Sequence, residues 1–254
     1  IVNLDDPYAL SVINSIPKCV EISTYSIKNK MAAVYAEELK MTRTGFEARI
    51  STPIGQGNIE GCLLGYFNFS NLLAVITTLI SYYNQREGLD VERLCSEISN
   101  LKPVDGRMEI IGDSDDITVV VDYAHTPDGL RSALLGLRDH FDGDIWCVFG
   151  CGGNRDKGKR PLMGEVAEQN ANKLLISDDN PRKEAGDKIV QHILSGINEP
   201  DKVLVIRDRA EAISYAIANA KHGDVVLVAG KGHETYQDVA GTKLIFSDAN
   251  HVRL

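Results

Sequence analysis

The sequence has no pair of cysteines at metal-binding spacing. Its cysteines form no Cys-x-x-Cys unit, and no histidines stand near them at ligand spacing. A zinc site is therefore not expected, and no secretory signal peptide is recognisable. We expect all five cysteines to be buried free thiols in a reducing, cytoplasmic setting. They are Cys19, Cys62, Cys95, Cys147 and Cys151.

Long apolar runs and positive charge are also scarce. The longest apolar run, residues 71–80, is too short to cross a bilayer and predicts a buried helix. The net charge of -9 opposes nucleic-acid binding or an anionic membrane surface, because either needs a basic face. Neither Pro nor Gly is enriched, so the composition is typical of a globular protein. We expect no nucleic-acid partner and no membrane insertion, and small-molecule chemistry stays open.

The first hundred residues mix short strands with helices. Residues 44–54 and 59–64 predict a β-hairpin whose turn is the Gly-rich segment 55–58. A helix is predicted over 70–83, and Asp90 is the expected N-cap of another. Pro and Gly in the stretch after that helix indicate a linker, so we place a domain boundary after residue 102.

Beyond residue 102 the chain alternates short apolar runs with helical stretches. Thr126 and Pro127 are the expected cap and first residue of the clearest helix. Runs that are apolar throughout indicate parallel strands covered on both faces. The predicted fold class is α/β, with a doubly wound, mainly parallel, Rossmann-like sheet in residues 103–254 and ligands beyond its strand carboxyl ends. The predicted strands are residues 117–122, 145–149, 173–177, 203–206 and 225–229.

Four polar motifs follow these strands, at residues 122–127, 150–160, 178–182 and 230–234. The second matches a phosphate-binding P-loop for seven positions, but Arg160 replaces the Ser or Thr that would hold Mg²⁺. We therefore reject a nucleotide P-loop at this place. A basic loop that leads into a helix favours an anion such as a carboxylate. Its cations are Arg155, Lys157, Lys159 and Arg160.

Charge complementarity indicates the kind of ligand. Arg155 and Arg182 can each bind a carboxylate through two parallel hydrogen bonds, and Glu234 can bind an ammonium group. Two arginines and one glutamate on neighbouring loops imply a small ligand with two carboxylates and at least one amine. Plainer alternatives stay open: a solvated basic loop, an Asn-Pro turn at Asn180, a solvated Glu234 and a locally hydrogen-bonded His125.

These motifs resemble those of the Mur ligase family of peptidoglycan precursor synthesis. Two further segments carry the resemblance, residues 67–75 (Phe-Asn-Phe-Ser-Asn-Leu-Leu-Ala-Val) and 106–109 (Gly-Arg-Met-Glu). In that family ATP phosphorylates a carboxylate, and the amine of an incoming amino acid attacks the acyl phosphate. The resemblance implies the later part of a central ATP-binding domain in residues 1–102 and an amino-acid-binding domain in residues 103–254.

The resemblance also implies roles for particular residues. His125 would lie near the transferred phosphoryl group, and Mg²⁺ would be held mainly by parts of the family fold that this sequence lacks. The implied ATP-binding residues are Asn68, Asn71, Arg107 and Asp122. The implied residues of a meso-diaminopimelate site are Arg155, Asp179, Asn180, Pro181, Arg182, Gly230 and Glu234. The implied acceptor is UDP-N-acetylmuramoyl-L-alanyl-D-glutamate, and we expect a cytoplasmic monomer.

Three family features are missing from the sequence: the Gly-Thr-x-Gly-Lys-Thr phosphate loop, an upstream lysine that helps to hold Mg²⁺, and a sugar-binding domain. The chain also starts without Met and stops in a helical pattern, so both ends look cut. Phosphoryl transfer depends on positioning of the phosphates and metal, so we expect the chain to be inactive alone. The alternatives are a non-catalytic diaminopimelate-binding module, or another amino-acid-adding Mur ligase or its folate-adding relative.

Overall fold

In the computed structural model of the protein, which describes residues 1–83, 89–111 and 116–253, the chain forms two compact units. They comprise Ile1–Lys102 and Pro103–Leu254. Within the described residues, no helix combines the length and the hydropathy needed to span a bilayer.

The N-terminal unit contains a five-stranded sheet in the part of the chain that the structure describes. Its strands lie side by side in chain order; the first three are parallel, and the last two add antiparallel pairs. Its elements are β1 (Val2–Asn3), α1 (Ala9–Ser15), β2 (Thr24–Ser26), β3 (Val34–Thr42), β4 (Gly45–Thr52), β5 (Gly55–Gly61), α2 (Tyr66–Tyr83) and α3 (Val91–Ser99).

Helices α2 and α3 form where the sequence predicts helices. Helix α2 begins at Tyr66, four residues before the predicted start, and buries Phe69 edge-on against Phe46 with ring centroids 4.9 Å apart. Asp90 is the N-cap of α3, as predicted: its carboxylate accepts a hydrogen bond from the backbone N–H of Arg93 at 2.7 Å. The apolar sides of both helices belong to one hydrophobic core with the sheet.

The predicted turn of the β-hairpin is wrong. Strand β4 ends at Thr52 and β5 begins at Gly55, so residues 55–58 lie inside a strand. The Thr52 hydroxyl donates to the Gly55 carbonyl at 2.7 Å and closes the turn. An added Cβ at Gly57 would stand 2.3 Å from Cys95 Sγ, so glycine is needed here because α3 packs closely on the strand.

The C-terminal unit is built on a six-stranded sheet in the described part, with strand order β10-β9-β8-β11-β7-β6. The pairs are parallel except for β6, which is antiparallel to β7, so the predicted doubly wound α/β class is confirmed. Its elements are β6 (Glu109–Ile111), β7 (Thr118–Asp122), α4 (Pro127–Arg138), β8 (Ile145–Phe149), α5 (Lys159–Asn170), β9 (Lys173–Ile176), α6 (Gly186–Leu194), a 3₁₀ turn (Pro200–Lys202), β10 (Leu204–Val205), α7 (Arg209–Asn219), β11 (Val225–Ala229), the hairpin β12 (Tyr236–Val239) and β13 (Thr242–Ile245), and α8 (Asp248–Val252).

Strands β7, β8 and β11 form the centre of this sheet and are buried at every position. Their β-branched and apolar side chains suit strands that are covered on both faces. Thr126 caps α4 as predicted, because its hydroxyl accepts from the backbone N–H of Gly129 at 3.2 Å, and Pro127 is the first helical residue. Strand β7 ends in the first polar motif, and β8 and β11 are each followed directly by another.

A buried ion pair joins α7 to α8. Arg209 Nε and Nη2 donate to the two carboxylate oxygens of Asp248 at 2.7 and 2.8 Å, and neither side chain has any exposed surface. Nη2 also donates to the carbonyl of Ala229 at 2.9 Å. The pair therefore fixes the end of β11, where the fourth motif begins.

The cysteine prediction is only partly right. All five cysteines are free, and Cys95, Cys147 and Cys151 are buried. Cys19 and Cys62 are exposed because they lie in connecting segments outside the sheets. Burial raises the pKa of the Cys147 thiol to about 12.

Candidate functional site

A cleft of about 420 Å³ lies in the C-terminal unit beyond the carboxyl ends of β7, β8, β9 and β11. All four motifs contribute to it, which follows from the rule that parallel strands present their loops at one edge. It brings together His125 and six of the seven residues of the implied amino-acid site; Pro181 is buried and does not line it. Its lining comprises Tyr123, His125, Gly152, Arg155, Asp156, Lys159, Asp179, Asn180, Arg182, Gly230, Glu234 and Tyr236.

Arg182 offers a free guanidinium edge to the cleft. Its Nη1 donates to the carbonyl of Gly153 at 3.1 Å, while Nε and Nη2 form no hydrogen bond with any residue in the described ranges. Asp178 is not its partner, because Arg207 binds both oxygens of that carboxylate at 2.7 and 3.0 Å. The Nε and Nη2 edge matches the two oxygens of a carboxylate.

The backbone of Arg182 is held by the hairpin β12–β13. Its φ of 51° is left-handed, a conformation that costs energy for a residue with a side chain. The N–H of Arg182 donates to the backbone carbonyl of Asp238 at 2.9 Å, and the N–H of Ala240 donates to the backbone carbonyl of Arg182 at 2.7 Å. These two hydrogen bonds between the loop and the hairpin fix the direction in which the Arg182 side chain leaves the loop.

Arg155 provides a second guanidinium at the cleft. Its side chain is exposed and makes no hydrogen bond or ion pair with another residue of the described chain. Two unpaired guanidinium groups in one cleft suit a ligand with two carboxylates.

An acidic group with a fixed arrangement lies in the same cleft. Glu234 Oε2 accepts from Lys231 Nζ and from Asn180 Nδ2, each at 2.9 Å. Burial alone would raise the pKa of Glu234, but hydrogen bonds from Lys231 and Asn180 outweigh it and hold that pKa below its ordinary value. Glu234 is therefore a carboxylate at neutral pH and can accept an ammonium group.

Asp179 lies deeper in the cleft wall. Burial raises the pKa of its carboxyl above the ordinary value, although the charges of Arg209 and Lys231 act in the opposite direction. An added Cβ at Gly230 would stand 2.9 Å from Asp179 Oδ2. The glycine, with its φ of 116°, therefore lets the fourth motif pass close to this carboxylate.

Not all cations of the basic loop in the second motif are available to bind a ligand anion. Arg160 is fully buried, and its Nη1 and Nη2 each donate to a carboxylate oxygen of Glu184 at 2.8 Å. These hydrogen bonds lower the pKa of Glu184 to about 2. Lys159 Nζ donates to the carbonyl of His125 at 2.6 Å. The helix starts at Lys159. Arg160 stabilises the loop through its ion pair with Glu184 and is not available to bind a ligand.

The first motif forms an aromatic cluster. The Tyr123 ring packs against His125 at 4.7 Å between centroids, and the Arg107 guanidinium lies 4.7 Å from its centre. His125 Nδ1 lies 2.8 Å from the carbonyl of Tyr123, which can only accept, so Nδ1 carries a proton. Asp122 is buried, and its two carboxylate oxygens accept hydrogen bonds from the backbone N–H groups of Met108 and Ala124, each at 2.8 Å. Asp122 and Arg107 do not line the cleft.

The other two implied ATP-binding residues lie on α2 of the N-terminal unit. Asn68 Nδ2 donates to the carbonyl of Leu64 at 2.8 Å, and Asn71 is exposed. Within residues 1–83, 89–111 and 116–253, no cluster of three or more His, Cys, Asp or Glu side chains could hold a metal ion.

Comparison with known families accounts for both units. Residues 1–79 match the family described as "Mur ligase middle domain", and residues 106–232 match "Mur ligase, glutamate ligase domain". The chain belongs to the Mur ligase family. The two matches fall on either side of residues 80–105, and the resemblance of the motifs to Mur ligases is confirmed.

Several relatives carry the same name. The chain is 41% identical over 250 residues to the UDP-N-acetylmuramoyl-L-alanyl-D-glutamate--2,6-diaminopimelate ligase of Haemophilus influenzae, and 40% identical over 248 residues to that of Vibrio vulnificus. These matches cover 98% of this chain but 50% and 49% of the relatives. A solved structure of a ligase with this name matches with a TM-score of 0.71 at 39% identity, covering 99% of this chain and 51% of that one. The chain thus spans about half the length of these Mur ligases.

The sequence did not single out two residues that shape this cleft, Lys231 and Gly152. Lys231 is buried and forms an ion pair with Glu234. Its position three residues before that glutamate in the fourth motif could have indicated this contact. Gly152 makes room for Arg182, because an added Cβ would stand 2.8 Å from Arg182 Nη1. No pattern in the sequence indicates that approach, since it joins two separate motifs.

Proposed function

We propose that this chain supplies the amino-acid-binding part, and some of the ATP-binding part, of a ligase that adds meso-diaminopimelate to UDP-N-acetylmuramoyl-L-alanyl-D-glutamate. The observation that carries the proposal is the cleft in which the free guanidinium edge of Arg182 and the carboxylate of Glu234 lie together. Diaminopimelate has an ammonium group and a carboxylate at each end. Lysine lacks the distal carboxylate and would leave one guanidinium without a partner.

Each charged group of the cleft has a role in this proposal. Arg182 binds the distal carboxylate, Arg155 binds the other, and Glu234 accepts an ammonium group. The free amine attacks the activated acyl carbon of the acceptor, an amide bond forms, and phosphate leaves. The chain's own residues orient the amino acid, and orientation of this kind contributes strongly to such bimolecular steps.

ATP supplies the phosphoryl group that activates the carboxylate. We assign Asn68, Asn71, Arg107 and Asp122 to its binding on the strength of the family resemblance. His125 is the residue that we place against the transferred phosphoryl group. Because its Nδ1 proton is donated to a backbone carbonyl, a contact from Nε2 to a phosphoryl oxygen requires the imidazolium form.

Ligand binding to this chain tests the proposal directly. We expect isothermal titration calorimetry to detect meso-diaminopimelate and to show weaker binding of lysine. Arg182→Ala removes a charged hydrogen-bonding partner, which is worth about 1.5–3 kcal/mol, so diaminopimelate should bind about 10- to 100-fold more weakly. Arg182→Lys should also weaken binding because lysine lacks the planar fork.

Arg131→Ala is the matched control, because Arg131 is exposed on α4 and does not line the cleft. It should leave both affinities unchanged. Equal losses for diaminopimelate and lysine in Arg182→Ala, together with a lower melting temperature, would show that Arg182 has a structural role instead. Failure of the unaltered chain to bind diaminopimelate would contradict the assignment of the cleft.

A further inference from the structure

A fully buried lysine lies directly behind the acidic side of the cleft. Lys231 has no exposed surface and does not line the cleft. Its ammonium group donates to Glu234 Oε2 at 2.9 Å and to Asn180 Oδ1 at 3.2 Å. A buried charge is costly unless it is paired and hydrogen-bonded, and these two contacts supply that pairing for the Lys231 ammonium group. Lys231 cannot touch a ligand and must act through its neighbours.

The neighbouring amide closes a triangle around the same glutamate. Asn180 Oδ1 also accepts from the backbone N–H of Asp238 at 2.9 Å, which identifies the oxygen end of the amide. The Nδ2 end then donates to Glu234 Oε2 at 2.9 Å. Two donors from different loops therefore hold one oxygen of the carboxylate in place.

The other oxygen of Glu234 has no such partner. Oε1 makes no hydrogen bond to any described residue, and the side chain is 22% exposed at the wall of the cleft. The carboxylate thus has one oxygen fixed by the protein and one available to a ligand. Because one oxygen is already fixed, the Glu234 side chain loses less conformational entropy when a ligand binds.

We propose that Lys231 is a positioning residue that holds Glu234 so that Oε1 accepts an ammonium group of the ligand, an inference that rests on the proposed diaminopimelate site. Asn180 is the second holder in this arrangement. Its side-chain oxygen is occupied within the protein, so Asn180 acts on the ligand mainly through Glu234.

The charges around Glu234 make the proposal measurable. Lys231 faces it from the same turn, Asp179 and Arg182 face it from the loop after β9, and Arg209 faces it from the start of α7. Burial favours protonation of Glu234, and the hydrogen bond from Lys231 is the largest opposing effect that keeps its pKa low. Without Lys231 the pKa of Glu234 should rise, and its charge should be lost as the pH falls through the raised pKa.

The first experiment needs no ligand. The Glu234 side-chain carboxyl carbon is followed by ¹³C NMR over about pH 3–8, a range that contains the ordinary glutamate pKa. In the unaltered chain Glu234 should titrate below the ordinary range, and in Lys231→Met it should titrate above it. Lys188→Met, which removes an exposed lysine of α6, is the matched control and should leave the Glu234 titration unchanged.

The second experiment measures binding of two ligands by calorimetry. Pimelate has both carboxylates of diaminopimelate but neither amine. Lys231→Met should weaken diaminopimelate binding by about 10- to 100-fold, the loss expected for one charged hydrogen bond, and should leave pimelate binding nearly unchanged. The loss should grow as the pH is lowered, whereas a general disturbance of the cleft would weaken both ligands alike at every pH.

The outcomes separate this inference from the proposed function. If the unaltered chain binds neither ligand but Lys231→Met raises the Glu234 pKa, the diaminopimelate assignment fails and the positioning role stands. An unchanged Glu234 titration in Lys231→Met overturns the inference. If Lys231→Met does not fold, the ¹⁵N signal of the Lys231 ammonium group is compared between the unaltered chain and Glu234→Gln. Its protection from exchange should fall in Glu234→Gln, and equal protection in both would overturn the inference.

Discussion

A methyl group added at Gly152 should displace Arg182 without disturbing the fold. The added Cβ would stand 2.8 Å from Arg182 Nη1, whereas ordinary contact begins at 3.4 Å, so the guanidinium must move by about 0.6 Å or more. The atom that must move is the end of a flexible side chain, and the next nearest contact, Arg155 Cγ at 3.5 Å, is an ordinary one. Gly152→Ala should therefore change ligand recognition far more than stability.

The size of the effect follows from the hydrogen bonds that the guanidinium would lose. A hydrogen bond to a charged group contributes about 1.5–3 kcal/mol, so misplacing Arg182 should weaken diaminopimelate binding by about 10- to 100-fold. Lysine has no distal carboxylate and should bind Gly152→Ala as it binds the unaltered chain. Calorimetric titration of both ligands, with the melting temperature of each variant, measures the effect.

Two other glycines of the same loop provide controls. An added Cβ at Gly158 meets only Asp156 Oδ1, at 3.3 Å, so Gly158→Ala should leave affinity and melting temperature nearly unchanged. At Gly153 it would stand 1.9 Å from the backbone oxygen of Pro181, so Gly153→Ala should lower the melting temperature. The reasoning is refuted if Gly152→Ala binds diaminopimelate normally, or if it weakens lysine equally.

Two further predictions concern stability. Asp248→Ala should lower the free energy of unfolding by about 3–5 kcal/mol, because it leaves the buried Arg209 unpaired, and the melting temperature should fall by roughly 6–20 °C. Arg207→Ala removes the partly exposed ion pairs with Asp178 and Asp187 and should cost only about 0–1 kcal/mol for each pair; a loss as large as that of Asp248→Ala would contradict this account. Residues 103–254 expressed alone should unfold in one cooperative transition, because in the described part of the chain all six strands of their sheet come from this unit; a gradual loss of circular dichroism on heating would count against the domain boundary after residue 102.

The central sheet and the place of the cleft could be predicted because they depend on local patterns. Residues 145–149 and 225–229 are apolar throughout, and both segments form strands with those bounds. Parallel strands present the loops at their carboxyl ends along one edge of the sheet. The four motifs could therefore be placed in one cleft although they are far apart in the sequence. The caps Asp90 and Thr126 were equally accessible, because a cap acts within four residues.

The sequence-based predictions failed where contacts with distant residues outweigh the local sequence pattern. Segment 55–58 has the glycines of a turn, yet they lie in a strand because α3 packs against Gly57. Arg160 looks like its basic neighbours, but only the fold brings Glu184 to it. The hairpin β12–β13 was not predicted because its short strands carry polar and charged residues at most positions.

The hairpin β12–β13 also links two parts of the site that are far apart in sequence. Gln237 Nε2 donates to the carbonyl of Asp179 at 2.8 Å, Asp238 binds the Asn180 amide, and Arg182 pairs with Val239. The loop after β9 and the hairpin are therefore one structural unit. If only the loop were replaced by that of a relative with another amino-acid preference, the new loop would lack the hydrogen-bonding partners that the hairpin provides. Specificity should transfer only when both segments are exchanged together, and gradual evolution of a new preference would require paired changes in them.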